Sequence, residues 1–277
     1  MKKSNIVLTV LASLAIAASA WPETTAPSGI ADILRQARTY QLQFRAGQYD
    51  VAPKFVAMLE DATKANPESA DLWETMGLAY LGQAAGTALT GGKPADAWTA
   101  GQKGQQALER ALQLNPDHAE ALAIHGGMQA IMASLMKSPG QAAKDQAAKG
   151  VAEMNRAVEL APNSTRARLA RAFNGLNLPD ALRNNTAEGE DLDFLIKTAG
   201  RSRSGDYMHI MRGDLYFELG QVDLAKSQYE IASKSASPAA AEATERLTAL
   251  TLGGVATTDI KKLRSVAGAQ CALCHGR

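Results

Sequence analysis

The sequence has 277 residues, with 29 Lys and Arg against 28 Asp and Glu, so its formal net charge is +1. This near-neutral balance gives no electrostatic reason to expect nucleic acid or an anionic membrane surface as a partner. Aromatic residues make up only 5% of the chain, Ala is abundant, and alternating runs of Val, Ile and Thr are missing. The composition therefore indicates a helical protein and argues against a fold built on sheets.

The N-terminus has the features of a secretory signal peptide. Lys2 and Lys3 form a positive region, residues 6–16 are almost entirely apolar, and Ala18-Ser19-Ala20 is a small-residue cleavage pattern. The apolar run is shorter than the roughly 20 residues that a transmembrane helix needs. We therefore expect residues 1–20 to be removed and the mature chain, without a transmembrane segment, to be exported to the periplasm.

Three segments of the chain share one pattern of four residues. A Lys lies thirteen residues before a Pro, an apolar residue eight before it and an Ala five before it. The three prolines are Pro67, Pro116 and Pro162. Because residues three apart share a helical face and a Pro interrupts a helix, the pattern predicts helices that end just before each Pro. The small Ala would let a neighbouring helix approach closely.

A second pattern follows the first Pro. Trp73, Met76, Gly77 and Tyr80 form W-x2-M-G-x2-Y, which resembles the first helix of the tetratricopeptide repeat (TPR). Residues 207–238 follow nearly the usual 34-residue frame of the same family. The resemblance to TPR proteins covers most of the mature chain.

The resemblance implies an all-α, TPR-like α-solenoid of about four to five helical hairpins over residues 29–252. A helix over residues 239–252 would cap the array, and residues 253–277 would form a linker and a short C-terminal tail. Repeats of this family bind a peptide or a partner helix in a groove and perform no chemistry of their own. No catalytic triad pattern or phosphate-binding loop is present in the sequence, so we expect a protein partner and not an enzyme.

The chain departs from the family pattern between its hairpins. Successive prolines are 49 and 46 residues apart instead of 34. The extra residues, 86–98 and 132–145, contain turn-forming Gly and Pro, and we expect them to lengthen helices and add loops. In the fourth hairpin we expect a polar linker over residues 183–190. The acidic run at residues 188–194 is interpreted as a solvated helix start.

Both cysteines of the chain lie in the tail. Cys271 and Cys274 are followed directly by His275, and C-x-x-C-H is the spacing that attaches a c-type haem. The two thiols add to the haem vinyl groups, and the adjacent imidazole becomes the proximal iron ligand. The preceding amphipathic turn resembles the start of a small cytochrome c domain. We therefore expect one covalent haem c that serves electron transfer within an envelope complex, an assignment that depends on export of the chain.

Other interpretations of the tail stay open. Cys271 and Cys274 could form a disulfide or redox pair in an oxidising compartment, whereas a structural zinc site would need a fourth ligand that the motif does not supply. The spacing could also be accidental. For the whole protein, the alternatives are a haem-free assembly factor for cytochromes or envelope complexes and a haem-based ligand sensor.

The sixth iron ligand is unknown from the sequence. Only Gly276 and Arg277 follow the motif, so we expect the ligand, if there is one, to come from the helical repeats or from another subunit. His118 is interpreted first as an exposed turn residue, and His125 and His209 as ordinary packing residues. Five methionines at helical spacing are expected to fill the core or the groove: Met128, Met132, Met136, Met208 and Met211.

Overall fold

The computed structural model describes residues 29–45, 47–135, 140–200, 202–237 and 239–251. Within these residues every regular element is a helix, and no strand occurs. No helix in the described ranges is long and apolar enough to cross a membrane. The predicted signal peptide and the predicted C-terminal tail lie outside the described residues, so both stay predictions.

Eleven α-helices follow one another through the described residues. They are α1 Ile30–Arg45, α2 Ala52–Ala65, α3 Ala70–Leu89, α4 Pro94–Leu114, α5 Ala119–Leu135, α6 Gln141–Leu160, α7 Thr165–Asn177, α8 Asn185–Ala199, α9 Arg203–Glu218, α10 Val222–Ser233 and α11 Ala239–Thr251. Short 3-10 turns at Tyr49–Val51 and Asp180–Leu182 precede α2 and α8. The helices form five consecutive hairpins and one final helix, which confirms the predicted all-α, TPR-like fold.

The chain divides into two compact units, Met1–His125 and Gly126–Arg277, with the boundary inside α5. In the first unit, α1 packs against α2 and α3, and α3 packs along α4. In the second unit, each helix from α6 to α10 packs against the next helix in the sequence, and α9 also packs against α11. Contacts between nearest and next-nearest helices are what stacked helical hairpins produce.

The core of the first unit is formed by apolar side chains from its first three helices. Phe55, Leu59 and Leu72 are fully buried there, and the Tyr40 ring stacks on Phe55 with 5.0 Å between ring centroids. Tyr80 donates a 2.7 Å hydrogen bond to a carboxylate oxygen of Glu60. Burial and this bond raise the pKa of Tyr80 to about 12, so its hydroxyl remains a donor at ordinary pH.

The first insertion lengthens helices as predicted. Helices α3 and α4 have 20 and 21 residues, and residues 86–98 form the end of one, a tight turn and the start of the other. Gly91 in this turn has φ +76°, a conformation that favours glycine. Pro94 then occupies the first turn of α4, where its missing N–H costs nothing. The second insertion is described only in part, because residues 136–139 are outside the described ranges.

One contact recurs at the same place in two hairpins. The Trp73 indole N–H donates to the Pro67 carbonyl oxygen at 2.9 Å in the first unit. In the second unit, Arg168 Nε donates to the Pro162 carbonyl oxygen at 2.7 Å. Both donors lie six residues after their Pro, so each ties the start of a hairpin's first helix to the turn before it.

Helices α5 and α6 meet at two glycines in the second unit. A Cβ added to Gly126 would lie 2.6 Å from the Gly150 carbonyl oxygen, and a Cβ added to Gly150 would collide with the Gly126 carbonyl oxygen. The two backbones are therefore in direct contact, closer than any side chain would allow.

The predicted polar linker over residues 183–190 is wrong. Helix α8 already begins at Asn185, because the Asn184 side chain accepts the N–H of Ala187 at 3.1 Å and caps the helix. The cap that Asn184 provides outweighs the polarity of the residues around it.

The last helix, α11, has one buried and one exposed side. Ala239 and Ala243 are fully buried in the core of the second unit. The opposite side is polar and exposed at Thr244, Glu245 and Thr248. This distribution confirms the predicted capping helix.

Candidate functional site

The predicted haem attachment residues, Cys271, Cys274 and His275, lie outside the described residues. Their attachment chemistry therefore stays a prediction. In the parts of the chain that are described, no group of three or more His, Cys, Asp or Glu side chains is arranged to hold a metal ion. The described residues that bear on a haem are the three histidines that the sequence offers as further ligands.

His118 is not the exposed turn residue that the sequence suggests. Its side chain is only 12% exposed. Nδ1 accepts the backbone N–H of Ala121 at 3.3 Å, which caps α5, and Nε2 lies 2.9 Å from an Asp71 carboxylate oxygen. Because Nδ1 accepts, Nε2 carries the proton and donates to Asp71. Both ring nitrogens are engaged within the protein.

We expect the His118→Ala variant to lose about 1 kcal/mol of stability, because the first turn of α5 loses its capping acceptor. His118→Asn should keep most of that stability, since Asn is a good helix N-cap although it cannot reach Asp71 in the same way. Denaturant unfolding followed by tryptophan fluorescence measures both variants. Equal losses would show that the contact with Asp71, and not the cap, stabilises this turn.

His125 and the methionines are mainly packing residues, as the sequence predicts. His125 is 3% exposed, with Nε2 3.8 Å from a Glu109 carboxylate oxygen. Met208 and Met211 belong to the apolar core of the second unit. Met128 and Met132 are half-buried on α5, and Met136 lies outside the described residues.

His209 differs from the other two histidines. It is half-buried on α9, and its Nδ1 lies 2.7 Å from Gln228 Oε1 on α10. An amide oxygen only accepts, so Nδ1 carries the ring proton and Nε2 keeps its lone pair in the neutral imidazole. Among the described residues, none makes a hydrogen bond to Nε2.

Several exposed apolar side chains lie on α10 and just before it. Six large apolar side chains are exposed among the described residues, and four of them lie between residues 219 and 231. Leu224 and Ile231, each 48% exposed, lie one turn before and one turn after Gln228. The three side chains share one side of α10, and we call this surface the α10 face.

The acidic run at residues 188–194 is not a solvated helix start, as the sequence suggests. Asp191 is fully buried and accepts hydrogen bonds from Arg168 and Arg171, each at 2.7 Å. The Arg168 guanidinium also lies over the Phe194 ring, 4.4 Å from its centroid. The run thus anchors α8 to α7 through charge pairs inside the second unit.

A second buried charge group joins the turn before α8 to α9. Arg183 donates to Glu188 at 2.9 Å and also pairs with Glu218. Burial acts to lower the pKa of Arg183, but the hydrogen bonds to the two carboxylates outweigh it and raise that pKa above its ordinary value. The guanidinium therefore stays charged and holds two carboxylates from different helices.

The third group fastens the last helix. Arg246 and Asp214 each have a side chain that is only 1% exposed, and Arg246 Nε donates to Asp214 at 2.8 Å. Tyr229 donates to the same carboxylate at 2.8 Å. Nearby, burial raises the pKa of Glu242 although a hydrogen bond from Tyr207 and the charge of Arg246 oppose the shift. Three helices, α9, α10 and α11, meet at Asp214.

A shallow pocket lies among α7, α8 and α9 in the second unit. Leu169, Leu195 and Met208 provide an apolar lining, and hydroxyl groups come from Thr165, Thr198, Ser202 and Ser204. None of the described residues that line it has an ionisable side chain.

Sequence reasoning found the TPR pattern and the C-x-x-C-H motif but missed these buried charges. One signal was available, since Arg168 occupies the place in its hairpin that Trp73 occupies in an earlier one. An Arg at a packing position indicates a buried acidic partner, because a guanidinium is rarely buried unpaired.

No protein-family model and no curated protein matches this chain. Among solved structures, the thermophilic TPR protein TTC0263 of Thermus thermophilus is similar, with a TM-score of 0.54 and 15% sequence identity over 80% of this chain and 98% of that one. Yeast Tom70 aligns with a TM-score of only 0.26 and 12% identity, over 91% of this chain and 71% of that one, which is too weak to indicate a shared fold. The similarity to TTC0263 concerns the fold alone, and the chain has an all-α fold of TPR-like helical hairpins.

Proposed function

We propose that this protein is an exported scaffold that binds a protein partner through its helical hairpins and carries one covalent haem c on its C-terminal tail. The observation that carries the proposal is the motif Cys271-Ala-Leu-Cys274-His275. Its chemistry requires export, and the N-terminal sequence has the pattern of a secretory signal. The protein would serve electron transfer within an envelope complex in the periplasm.

Recognition is assigned to the hairpins. Stacked helical hairpins form extended surfaces that bind a peptide or a partner helix. The buried charge pairs around Asp191, Glu188 and Asp214 support this role, because they hold the helices of the second unit in fixed positions.

Redox function is assigned to the tail. The thiols of Cys271 and Cys274 would add to the two vinyl groups of the haem, and the His275 imidazole would bind its iron from one side. The bound haem supplies one-electron exchange, with a potential that depends on the second axial ligand and on its exposure to water.

The experiment is an intact mass measurement of the full chain purified from a host with haem-maturation machinery. We expect cleavage after Ala20 and one added haem, retained on the tail peptide after denaturation. The Cys271→Ser/Cys274→Ser variant should be exported and folded but should carry no covalent haem. Free thiols or a disulfide at these positions in the wild-type protein would contradict the haem assignment and favour a haem-free assembly factor.

A further inference from the structure

We propose that Glu242 couples the docking of α11 to pH, so that this last helix is held more tightly against α9 and α10 when the Glu242 side chain carries a proton. The coupling is built from two carboxylates and one guanidinium that meet between α9 and α11. All of these groups lie in described helices of the second unit, so the coupling goes beyond the proposed function and does not depend on a haem.

Arg246 gives its hydrogen bonds to groups other than the Glu242 carboxylate. Its Nε and Nη2 donate to the two carboxylate oxygens of Asp214 at 2.8 and 3.3 Å, and its Nη1 donates to the main-chain carbonyl of Glu242 at 3.3 Å. Glu242 Oε2 lies 4.0 Å from the same Nη1, which is too far for a hydrogen bond. Asp214 is therefore the bonded partner of Arg246, and Glu242 is a second carboxylate at a guanidinium that is already paired.

The two oxygens of the Glu242 carboxylate have different surroundings. The Tyr207 hydroxyl donates to Oε1 at 3.1 Å. Oε2 is buried and has no hydrogen-bond partner among the described residues. A charged oxygen that leaves water without gaining a hydrogen bond costs free energy, and the neutral acid costs less because it carries no charge. The folded arrangement therefore favours the protonated side chain.

The neighbouring groups act on Glu242 in both directions. The titratable and charged groups that surround Glu242 and Arg246 are Tyr207 and Asp214 on α9, Tyr229 on α10, and Glu245 on α11. Burial has the largest effect and disfavours the charged carboxylate, and the two neighbouring carboxylates add to that effect. The Tyr207 hydrogen bond and the charge of Arg246 oppose it without cancelling it, so the pKa of Glu242 is raised.

The raised pKa sets the direction of the pH dependence. With α11 undocked, Glu242 takes up its proton at the ordinary pKa of 4.5, whereas with α11 docked it takes up the proton at higher pH. Docking therefore binds a proton between these two values, and it becomes tighter as the pH falls through the raised pKa. Within that interval the ratio of docked to undocked α11 changes by up to about tenfold per pH unit.

A single charge matters here because apolar contacts hold α11 only weakly. Its fully buried apolar side chains are Ala239 and Ala243, and each offers one methyl group to the core. Leu247 and Leu250 pack against the same core but are only partly buried. The polar contacts of Arg246 and Glu242 thus contribute a large share of what keeps α11 in place.

The test compares the wild-type protein with Glu242→Gln, which keeps the shape of the side chain but cannot become charged. Hydrogen exchange of the α11 amides is measured by mass spectrometry on both full chains at the same pH, so that the intrinsic exchange rate cancels. Near neutral pH we expect α11 to exchange faster in the wild-type protein than in Glu242→Gln. The ratio of the two rates should fall by up to about tenfold per pH unit and reach one when the wild-type side chain is protonated.

Two further variants test the cause of the pH dependence. Tyr207→Phe removes a hydrogen bond that favours the charged carboxylate, so the interval should move to higher pH, which a loss of packing alone would not produce. Glu190→Gln is the same substitution as Glu242→Gln at an exposed position of α8. It should leave the exchange of α11 and its pH dependence as they are in the wild-type protein.

The outcomes separate the coupling from the proposed function. A Glu242→Gln variant whose α11 exchanges as fast as in the wild-type protein at neutral pH, or faster, would overturn the coupling. So would a difference between the two chains that does not change with pH. Either result would leave the haem scaffold standing, whereas a chain without haem mass would overturn the scaffold and leave the coupling unaffected.

Discussion

The Asp214→Ala variant is expected to destabilise the second unit by about 3–5 kcal/mol, because removing one partner of a buried ion pair leaves the other charge uncompensated. Arg246 is 1% exposed, and its guanidinium bonds to both carboxylate oxygens of Asp214 at 2.8 and 3.3 Å. The Tyr229 hydroxyl would lose its acceptor as well. Glu242, 4.0 Å from the same guanidinium, offers only partial compensation, so the loss should remain large.

The two units can be observed separately in this experiment. Trp73 and Trp98, the tryptophans among the described residues, both lie in the first unit, so their fluorescence reports on that unit, and far-ultraviolet circular dichroism reports on both. We expect Asp214→Ala to shift the unfolding of the second unit, seen by circular dichroism, to lower denaturant concentration. The fluorescence transition of the first unit should stay where it is. A fluorescence transition that moves to the same extent would contradict this expectation.

Two further variants control for the kind of interaction lost. Asp193→Ala removes an acidic side chain that is 59% exposed in its pair with Arg212, and exposed pairs contribute at most about 1 kcal/mol. The double variant Asp214→Leu/Arg246→Leu removes both buried charges and should recover much of the loss, since apolar replacements of buried pairs are often neutral. A single Asp214→Ala variant that is no less stable than Asp193→Ala would show that the pair is not truly buried.

The second large effect is expected at the glycine contact between α5 and α6. Gly150→Ala should destabilise the second unit by about 1–3 kcal/mol, the usual cost of forcing extra volume into a packed interior. The Cβ would collide with the Gly126 carbonyl oxygen, which belongs to the backbone and cannot rotate away. The variant should lose stability although Ala is about 1 kcal/mol better than Gly inside a helix.

A matched control exists in the first unit. Gly101 lies in the interior of α4, and a Cβ there would meet no atom within 4 Å. Gly101→Ala should therefore gain up to about 1 kcal/mol from helix propensity alone, visible in the fluorescence-detected unfolding transition. The same substitution should thus have opposite signs at the two positions. A stabilised Gly150→Ala variant would mean that the two backbones are not in contact.

The helices were predictable from the sequence because their signals are local. The Lys, Ala and Pro spacing marks helix ends within about a dozen residues, and Trp73, Gly77 and Tyr80 mark the first helix of a hairpin. The polar stretch after Arg183 was misread because one capping residue, Asn184, outweighs the average polarity of its neighbours.

The buried charge pairs were not predictable from local patterns. Arg168 and Asp191 are 23 positions apart, and Asp214 and Arg246 are 32 apart, so nothing in a helical period connects them. The candidate site also has one part that a local pattern predicts and one part that depends on the fold. Three tail residues suggest haem attachment, whereas the pairing of His209 with Gln228 depends on how two helices meet and becomes visible only in the folded chain.

The recurrent contact to a proline carbonyl shows that two unlike side chains can play the same part in two hairpins. Trp73 and Arg168 differ in size, charge and hydropathy, yet each places an N–H group on the carbonyl of a Pro six residues earlier. In these two hairpins the contact needs only a long side chain that ends in a planar donor, whereas Leu122, six residues after Pro116, has no side-chain donor. A family model that scores aromatic character there would count Arg168 as a mismatch, although Arg168 makes the same contact to the proline carbonyl as Trp73 does.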